Sequence, residues 1–560
     1  MRTNNTLRLF CILSLLSIIF SSSLFALNFF DDGPPEELAA AIEQAMSDDQ
    51  ALAQVFMLGW VGAEPSPIIM DWIRQRNIGG VKIFGWNTED TLRLAKTVGE
   101  LQEASLKGPF NIPLLVATDQ EGGWIRHVKG STSETPGNMA IGASGYPRDA
   151  YLAGYYIGKE LVLLGINMNF APTVDLFTSR ESVLIGPRAF GNDPVKAGIL
   201  GTAFMKGQQA AGIIPTTKHY PGHGGTDLDS HGVLPKIRVP FEVMWDRELL
   251  PYRMLTAEGL PAIMSGHLAF PETVAAGAPA SLSPWFLDDI LRKKIGYRGL
   301  IITDDLMMNG ATLWAGSLSQ TAKQALLAGN DIILFSRTPG LYEPVWTLLS
   351  NSMKNDSEFR LRVRESARRV LAVKLRYLRG DKAVPYVPDL KKAEAELPDP
   401  EGSAFFLNLA ARSVTIVKPP PQEGLPAGAP VFPLKPENAG DVLLAGQYMD
   451  FFKAGRAAFP GAVSYWYHEP DGVSGLLSYA RRADTIIFCL SDVSGVRVLR
   501  NFQSLGKRII VFSVLSPVYL ENIPWIDGAV AVYSYAPESF AAGFSAIIGR
   551  ITAAGRLPYE

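Results

Sequence analysis

Short apolar runs alternate with longer segments of helical period along the first two thirds of the chain. Successive runs lie about 30–45 residues apart, which is the room that parallel strands and their crossover helices need. The pattern therefore predicts an α/β fold with a parallel sheet. The predicted strands are residues 80–84, 113–118, 167–174, 213–218, 262–267, 299–303 and 331–336, with an eighth near 55–61. The best helix candidates between them are residues 148–164, 195–211 and 241–258.

The number of these strand–helix units favours a closed barrel. About eight units over some 330 residues fit a (β/α)8 TIM-like barrel, and an open doubly wound sheet is the alternative. We expect the barrel to occupy residues 35–380. In barrels of this kind the reacting groups sit at the carboxyl ends of the strands.

A chain of 560 residues is too long for one core, so a second domain is expected. Residues 381–402 are charged and interrupted by prolines, which is typical of a linker. Residues 403–560 are predicted to form a smaller C-terminal α/β sandwich domain. Its expected strands are residues 413–417, 442–445, 485–490, 508–514 and 529–533.

Residues 1–26 are typical of a secretory signal peptide. Arg2 and Arg8 precede an apolar stretch that ends in small residues and Ala26. The alternative is an uncleaved segment that tethers the protein to a membrane. We therefore expect export to the periplasm, the cell surface or the medium.

The charge balance argues against a nucleic-acid partner. Lys and Arg number 52 against 55 for Asp and Glu, giving a net charge of −3. A nucleic-acid-binding protein is expected to carry a basic patch or stripe, and no basic block stands out here.

Three of the six histidines, His219, His223 and His231, cluster in KHYPGHGGTDLDSHGVLP. Pro221 and Gly222 prevent the helix that would place His219 and His223 on one face, although a loop can still hold a metal ion. Another reading is that the histidines only bond to loop backbone.

Asp229 and His231 lie two apart within the same segment. In an extended loop such residues point to the same side, so the carboxylate can orient the imidazole. A histidine held in this way can act as a general acid or base.

Two further segments place acids at the ends of predicted strands. GLIITDDLMM delivers Asp304, a candidate nucleophile, while Asp305 reads as a cap of the next helix. LLVATDQEGGWIRHV brings Asp119 and Glu121, followed by glycines that allow backbone to approach a ligand closely.

A fourth segment, IGPRAFGNDP, carries Arg188, which can hold a polar ligand or pair with a neighbouring acid. We find no phosphate loop or dinucleotide-binding motif anywhere in the chain.

Taken together, the motifs KHYPGHGGTDLDSHGVLP, TDQEGG, PRAFGNDP and ITDDLMM resemble glycoside hydrolase family 3, most of all its β-N-acetylglucosaminidases of the NagZ type. The resemblance covers residues 45–380 and extends more loosely to the end of the chain. It implies a retaining mechanism through a glycosyl-enzyme intermediate, with Asp304 as nucleophile and His231, paired with Asp229, as acid/base. It also implies that Asp119, Arg188, Lys218 and His219 hold the hydroxyls and the acetamido group of the terminal sugar.

The chain departs from the family pattern at one place. Many relatives have an arginine eight residues after the aspartate of DQEGG, where this chain has His127. Arg126, one residue earlier, is therefore included among the expected substrate-binding residues.

The function implied by the resemblance is an exo-β-N-acetylglucosaminidase that acts on a carbohydrate partner, a GlcNAc-containing glycan or muropeptide. Such chemistry requires no cofactor and no metal. The alternatives are a β-glucosidase or other β-glycosidase of the family, including a phosphorolytic variant, and a metal-dependent hydrolase that uses the histidine cluster. A carbohydrate-binding protein without activity is a further alternative, against which the intact Asp304, Asp229 and His231 argue.

Overall fold

The computed structural model describes residues 27–226, 232–337, 339–417, 431–467 and 473–559. Its larger part is a closed barrel of eight parallel strands that follow one another around the barrel in chain order. The strands are β1 (Phe56–Leu58), β2 (Gly80–Ile83), β3 (Leu115–Thr118), β4 (Met168–Asn169), β5 (Ile214–Tyr220), β6 (Ala262–Ser265), β7 (Leu300–Asp305) and β8 (Ile332–Phe335).

The barrel confirms the predicted fold class and settles the choice between the two architectures. Each strand coincides with a predicted apolar run, because a strand buried on both faces reads as a continuous apolar segment. β1 pairs in parallel with β8 through Phe56 and Ile333, and this contact closes the sheet. The alternative of an open doubly wound sheet is therefore wrong.

Helices surround the barrel and connect its strands. Residues 241–258, predicted as one helix, form two, Phe241–Asp246 and Leu250–Ala257. Pro251 explains the break, since proline within a helix clashes with the carbonyl four residues earlier. The other helices of this part are Pro35–Ala45, Asp48–Gln54, Pro67–Asp71, Trp72–Arg76, Thr91–Leu106, Asn138–Ser144, Pro147–Leu163, Pro194–Ala211, Trp285–Lys294, Asn309–Ala315, Leu318–Ala328, Glu343–Asn355 and Ser357–Tyr377.

Apolar side chains fill the lower part of the barrel. Leu115, Met168, Ile214 and Leu300 belong to one buried cluster, together with residues of the helices Pro35–Ala45 and Ser357–Tyr377. These two helices pack on each other and cover the amino-terminal end of the barrel. None of the helices in the described ranges has the length and apolarity that a membrane span needs.

The second domain is a six-stranded sheet with apolar clusters on both faces. Five strands are parallel, and the first, β9, runs antiparallel to the last, β14. The spatial order is β9, β14, β13, β12, β10, β11. The strands are β9 (Thr415–Val417), β10 (Val442–Gly446), β11 (Val463–Trp466), β12 (Thr485–Leu490), β13 (Arg508–Ser513) and β14 (Gly528–Ala531). The helices are Met449–Ala458, Val473–Arg482, Val493–Leu499 and Pro537–Ile547.

Two features of this half were not predicted from the sequence. β11 lies at the edge of the sheet with partly exposed side chains, so its apolar pattern is weak. The segment predicted as a linker, residues 381–402, contains the helix Leu390–Glu396 and the start of the helix Pro400–Ser413.

The two domains share an apolar interface. Phe177, Ile185 and Ala189 of the barrel belong to the same buried cluster as side chains of the second sheet. The C-terminal residues also lie on the barrel, where the Asn192 N–H donates to Pro558 O at 3.3 Å. The loop 177–192, which contains Arg188, is thus packed between the two domains.

Candidate active site

Charged and polar side chains collect at the carboxyl end of the barrel. Lys82 lies in β2, Asp119 follows β3, Lys218 and His219 lie in β5, and Asp304 stands at the end of β7. Because the strands are parallel, their carboxyl ends meet at one rim, which is where barrel enzymes hold their reacting groups.

Asp119 is the centre of this network. Its Oδ2 lies 2.7 Å from Lys82 Nζ and 3.5 Å from His127 Nδ1, and its Oδ1 accepts a short hydrogen bond from Lys218 Nζ. Burial alone would raise the pKa of Asp119, but the charges of Lys218 and Lys82 hold it well below its usual value. The carboxylate is therefore ionised.

A second ion pair lies beside it. Arg188 grips Glu121 with two hydrogen bonds, Nε to Oε2 at 2.9 Å and Nη2 to Oε1 at 2.7 Å. Lys218 Nζ lies 2.6 Å from the same Glu121 oxygen. Burial opposes ionisation of Glu121, yet Arg188 and Lys218 lower its pKa to about 2. The two-pronged geometry fixes the Arg188 side chain at the rim.

His219 connects this network to Asp175. Its Nδ1 lies 2.6 Å from Asp175 Oδ2, and its Nε2 lies 3.3 Å from Arg188 Nη2. Asp175 also accepts the backbone N–H of His223 at 2.7 Å. Burial would raise the pKa of Asp175, but His219 and His223 lower it to about 2.

His223 packs edge-on against His219, with ring centroids 5.8 Å apart. Both its ring nitrogens are buried, and neither has a hydrogen-bond partner among the described residues. Burial, followed by the neighbouring His219, lowers the pKa of His223 to about 4, so the ring is neutral at neutral pH.

Asp304 and Asp305 differ in environment although they are adjacent. Burial tends to raise the pKa of Asp304, but His219, His267, the Asp305 N–H and Lys218 outweigh it and leave the value lowered. Burial and the nearby Asp304 raise the pKa of Asp305. Asp305 Oδ1 accepts the N–H groups of Met307 and Ser336, so this residue secures the turn after β7. Asp304 is left as the ionised carboxylate that faces the network.

The structure brings together five residues that the sequence selected: Asp119, Arg188, Lys218, His219 and Asp304. It does not bring Arg126 to this network. The Arg126 guanidinium instead bonds to Thr132 O at 2.7 Å and to Glu134 Oε1 at 3.2 Å. The adjacent side chain, His127, reaches Asp119, because neighbouring residues of the short strand Ile125–Arg126 and its continuation point to opposite sides. Asp229 and His231 lie outside the described residues.

The glycines of TDQEGG, which the sequence predicts to allow a close approach to a ligand, also have a structural role in the turn that follows Asp119. Gly122 and Gly123 have φ angles of +92° and +62° and turn the hairpin between Gln120–Gly122 and Ile125–Arg126. A side chain at Gly122 would come within 2.5 Å of Thr135 Oγ1. Their first role is thus to make the turn that follows Asp119.

Sequence reasoning missed Lys82, Asp175 and His267 as members of this site. Each stands at or just after a predicted strand, and the lysine inside GVKIF was a usable signal, since a buried strand rarely holds a lysine without a partner. His267 Nε2 lies 3.1 Å from Asp305 O, and its Nδ1 lies 2.7 Å from Ser281 Oγ.

The histidine cluster was also considered as a metal site. Among the residues for which the structure gives positions, no group of three or more His, Cys, Asp or Glu side chains is arranged to hold a metal ion.

The arrangement suits a ligand rich in hydroxyl groups. Ionised carboxylates alternate with lysine, arginine and imidazole groups around one rim, so donors and acceptors are both available. Asp304 adds a carboxylate that is partly buried, ionised and engaged only by the adjacent backbone N–H among the described residues. Such a group can attack, or stabilise, an electron-poor carbon.

Comparison with known proteins gives consistent results. The profile of the Glycosyl hydrolase family 3 N terminal domain matches residues 49–373. The chain is 36% identical over 282 residues to the beta-hexosaminidase of Tolumonas auensis, covering 50% of this chain and 81% of that protein. It is 34% identical over 285 residues to beta-hexosaminidase A of Pseudoalteromonas piscicida, covering 48% of this chain and 47% of that longer protein.

A solved structure is similar over both domains. It is a glycoside hydrolase family 3 beta-N-acetylglucosaminidase from Paenibacillus sp. str. FPU-7, with a TM-score of 0.83 and 27% identity. The match covers 92% of this chain and 99% of that one. The likeness therefore includes the second domain as well as the barrel.

Proposed function

The chain belongs to glycosyl hydrolase family 3 and is a glycoside hydrolase, and from that premise we propose that it is a retaining exo-β-N-acetylglucosaminidase. Its substrate is a terminal, non-reducing β-GlcNAc, as in peptidoglycan or muropeptide fragments. The names of the similar hexosaminidases and of the Paenibacillus enzyme support this choice of sugar.

One observation carries the proposal. Asp304 is partly buried, has a lowered pKa and shares one rim with Asp119, Arg188, Lys218 and His219. A sugar held by those four groups places its reacting carbon beside a carboxylate that is ionised at neutral pH.

The proposed reaction has two steps. Asp304 attacks the anomeric carbon, a bond forms from its carboxylate oxygen, and the bond to the leaving oxygen breaks while His231 donates a proton to it. Water then attacks the same carbon, His231 takes a proton from it, and Asp304 leaves as a carboxylate. Asp229 orients His231 throughout. These last two roles rest on the sequence, because both residues lie outside the described ranges.

Turnover of p-nitrophenyl N-acetyl-β-glucosaminide by the purified full chain tests the sugar preference, with the β-glucoside as the matched comparison. We expect the GlcNAc substrate to be preferred and activity to survive exhaustive chelation. A preference for the glucoside would favour the β-glucosidase alternative, and loss of activity on chelation would favour the metal-dependent one.

A slow fluorinated glycosyl donor tests the retaining mechanism. The labelled peptide is expected to contain Asp304 in the wild type, and labelling is expected to vanish in Asp304→Asn. A label on another carboxylate, or none under turnover conditions, would contradict the mechanism. His231→Ala is expected to lower kcat by about 10²–10⁴-fold with binding retained.

We also propose that the protein is exported, on the strength of the composition of residues 1–26. N-terminal sequencing of the mature protein from a fractionated culture tests this. A start near residue 27 in the exported fraction is expected, and full-length protein confined to the cytoplasm would refute it.

A further inference from the structure

Lys82 and His127 form a pair beside Asp119. Lys82 Nζ is buried and lies 2.7 Å from Ile83 O, 2.7 Å from Asp119 Oδ2 and 3.1 Å from His127 Nδ1. It also lies 4.1 Å from the centre of the Phe84 ring. The lysine therefore has three polar neighbours, one for each N–H of an ammonium group.

The chemistry of these neighbours fixes the proton on His127. Burial lowers the pKa of Lys82, while the charge of Asp119 opposes that shift and favours the ammonium form. Ile83 O can only accept a hydrogen bond, and so can the ionised Asp119. The third N–H of Lys82 then donates to His127 Nδ1, which must be the unprotonated nitrogen. The ring proton is consequently on Nε2.

The charge of the ring is fixed as well. Burial, followed by the charge of Lys82, lowers the pKa of His127 to about 4, so the imidazole is neutral at the pH of most enzyme assays. It presents a single neutral N–H donor rather than a cation.

No described residue accepts a hydrogen bond from that donor. None of the hydrogen bonds of the described residues uses His127 Nε2, and this nitrogen is not one of the atoms that are buried without a partner. The His127 side chain is 30% exposed and leans on Phe84, with ring centroids 5.6 Å apart. The Nε2–H group is thus open to solvent next to Asp119.

We propose that His127, held in one tautomer by Lys82, is a specificity-determining residue that donates Nε2–H to a hydroxyl of the bound sugar. Lys82 is a positioning residue that orients both His127 and Asp119. Together they supply the cation and the donor at a place where the family resemblance implies a single arginine. A neutral donor selects a neutral hydroxyl, whereas an arginine also favours an anionic substituent. This inference rests on the proposed glycosidase function and deepens it.

The contact is tested by combining enzyme variants with substrate analogues and comparing their kcat/KM values. The substrates are the nitrophenyl glycoside that the wild type cleaves and its analogues that lack one hydroxyl at position 3, 4 or 6. For one analogue the wild type is expected to lose about tenfold in kcat/KM. His127→Phe, which keeps a ring but no donor, should show that loss on the parent glycoside and no further loss on that analogue.

His127→Gln is the matched rescue variant, because its amide N–H can donate without a charge; it should retain most of the wild-type value. Lys129→Met, at an exposed lysine two residues away, controls for a substitution in the same segment outside the proposed contact. If all three deoxy analogues cost His127→Phe as much as they cost the wild type, the proposed hydroxyl contact is wrong.

Nitrogen-15 spectroscopy tests the tautomer without turnover. The chain has six histidines, and His127→Gln identifies the resonances of His127. At pH 7 we expect a neutral ring with its proton on Nε2, and in Lys82→Met a shift toward the other tautomer. A charged ring, or a proton on Nδ1 in the wild type, overturns the inference.

The two proposals can fail separately. A wild type that cleaves only the β-glucoside refutes the proposed sugar, while the coupling experiment proceeds on the glucoside series. Melting temperatures of every variant show whether a loss of activity reflects unfolding.

Discussion

The two ends of the barrel each bury a carboxylate among cations, and the difference between them separates structure from function. At the amino-terminal end, Asp331 just before β8 is completely buried and accepts from Arg292, Arg362 and Arg369. Both its oxygens are engaged, since the Ile301 N–H and the Ser366 hydroxyl also donate to it. Nothing is left over for a ligand.

At the carboxyl end, some polar groups of the network are exposed or lack a hydrogen-bond partner among the described residues. Asp119 keeps 15% of its side chain exposed, and among the described residues neither ring nitrogen of His223 nor Nε2 of His127 has a hydrogen-bond partner. A buried polar group without a partner is costly in free energy. The carboxyl end therefore keeps polar groups that a ligand can engage, whereas Asp331 at the amino-terminal end has both oxygens engaged by the protein.

The largest expected effect is on activity, at the carboxyl end of the barrel. Asp304→Asn removes the charge while keeping the shape, and kcat/KM should fall by about 10³-fold or more, as for other catalytic nucleophiles. Steady-state kinetics on the nitrophenyl substrate measure it. Because Asp304 has few stabilising contacts, the melting temperature of the Asp304→Asn variant should stay close to that of the wild type. A tenfold loss or less would remove Asp304 from the reaction.

The largest effect on stability is expected at the closed end. Asp331→Asn leaves three arginines without their shared anion, and the free energy of unfolding should fall by about 3–5 kcal/mol. Urea denaturation measures this change, and the specific activity of the folded fraction should be unaltered. Loss of activity in folded protein, with stability retained, would mean that the two ends are not independent.

Acid should affect the histidines of the carboxyl end and Asp331 of the amino-terminal end in different pH ranges. The folded pKa values of His127 and His223 are about 4, below the usual 6.5. Their contribution to stability is therefore complete above pH 6.5 and is lost as the pH falls toward 4. Asp331, whose pKa is lowered below the usual 3.8, loses its contribution only under more acidic conditions.

Thermal melts from pH 7 to pH 4 measure this difference. His223→Leu should flatten the decline between pH 6.5 and 4, by up to about 1.4 kcal/mol per pH unit. Asp331→Asn should leave that slope unchanged. An equal slope in the wild type and His223→Leu would show that His223 titrates normally in the folded protein.

The smallest effect is expected next to the site. Arg126→Gln breaks only a partly exposed pair with Glu134 and a contact with Thr132. Surface pairs contribute about 0–1 kcal/mol, so kcat/KM should change by less than about threefold. A rise of tenfold or more in KM would restore Arg126 to the sugar-binding residues, as the sequence predicted.

The sequence was sufficient for the barrel because each strand is buried on both faces and therefore reads as an apolar run. It was sufficient to place Asp304 and Asp119 at one rim, because parallel strands bring their carboxyl ends together, whereas Lys218 was selected only through the family resemblance. It was insufficient for β11, whose exposed edge position weakens the apolar pattern.

The pairings within the site also depend on information that spacing does not contain. Asp175 and His219 are 44 residues apart, and Lys82 and His127 are 45 apart. These contacts arise only when the barrel closes. The choice between Arg126 and His127 depended on which side of one short strand each residue faces, and that register is set by the Gly122–Gly123 turn.

The packing of the loop 177–192 makes the position of Arg188 depend on both domains. Arg188 reaches into the barrel, but its neighbours Ile185 and Ala189 are wedged against the second domain. The position of the Arg188 guanidinium therefore depends on how the two domains pack together, although the second domain contributes no side chain to the network of described residues.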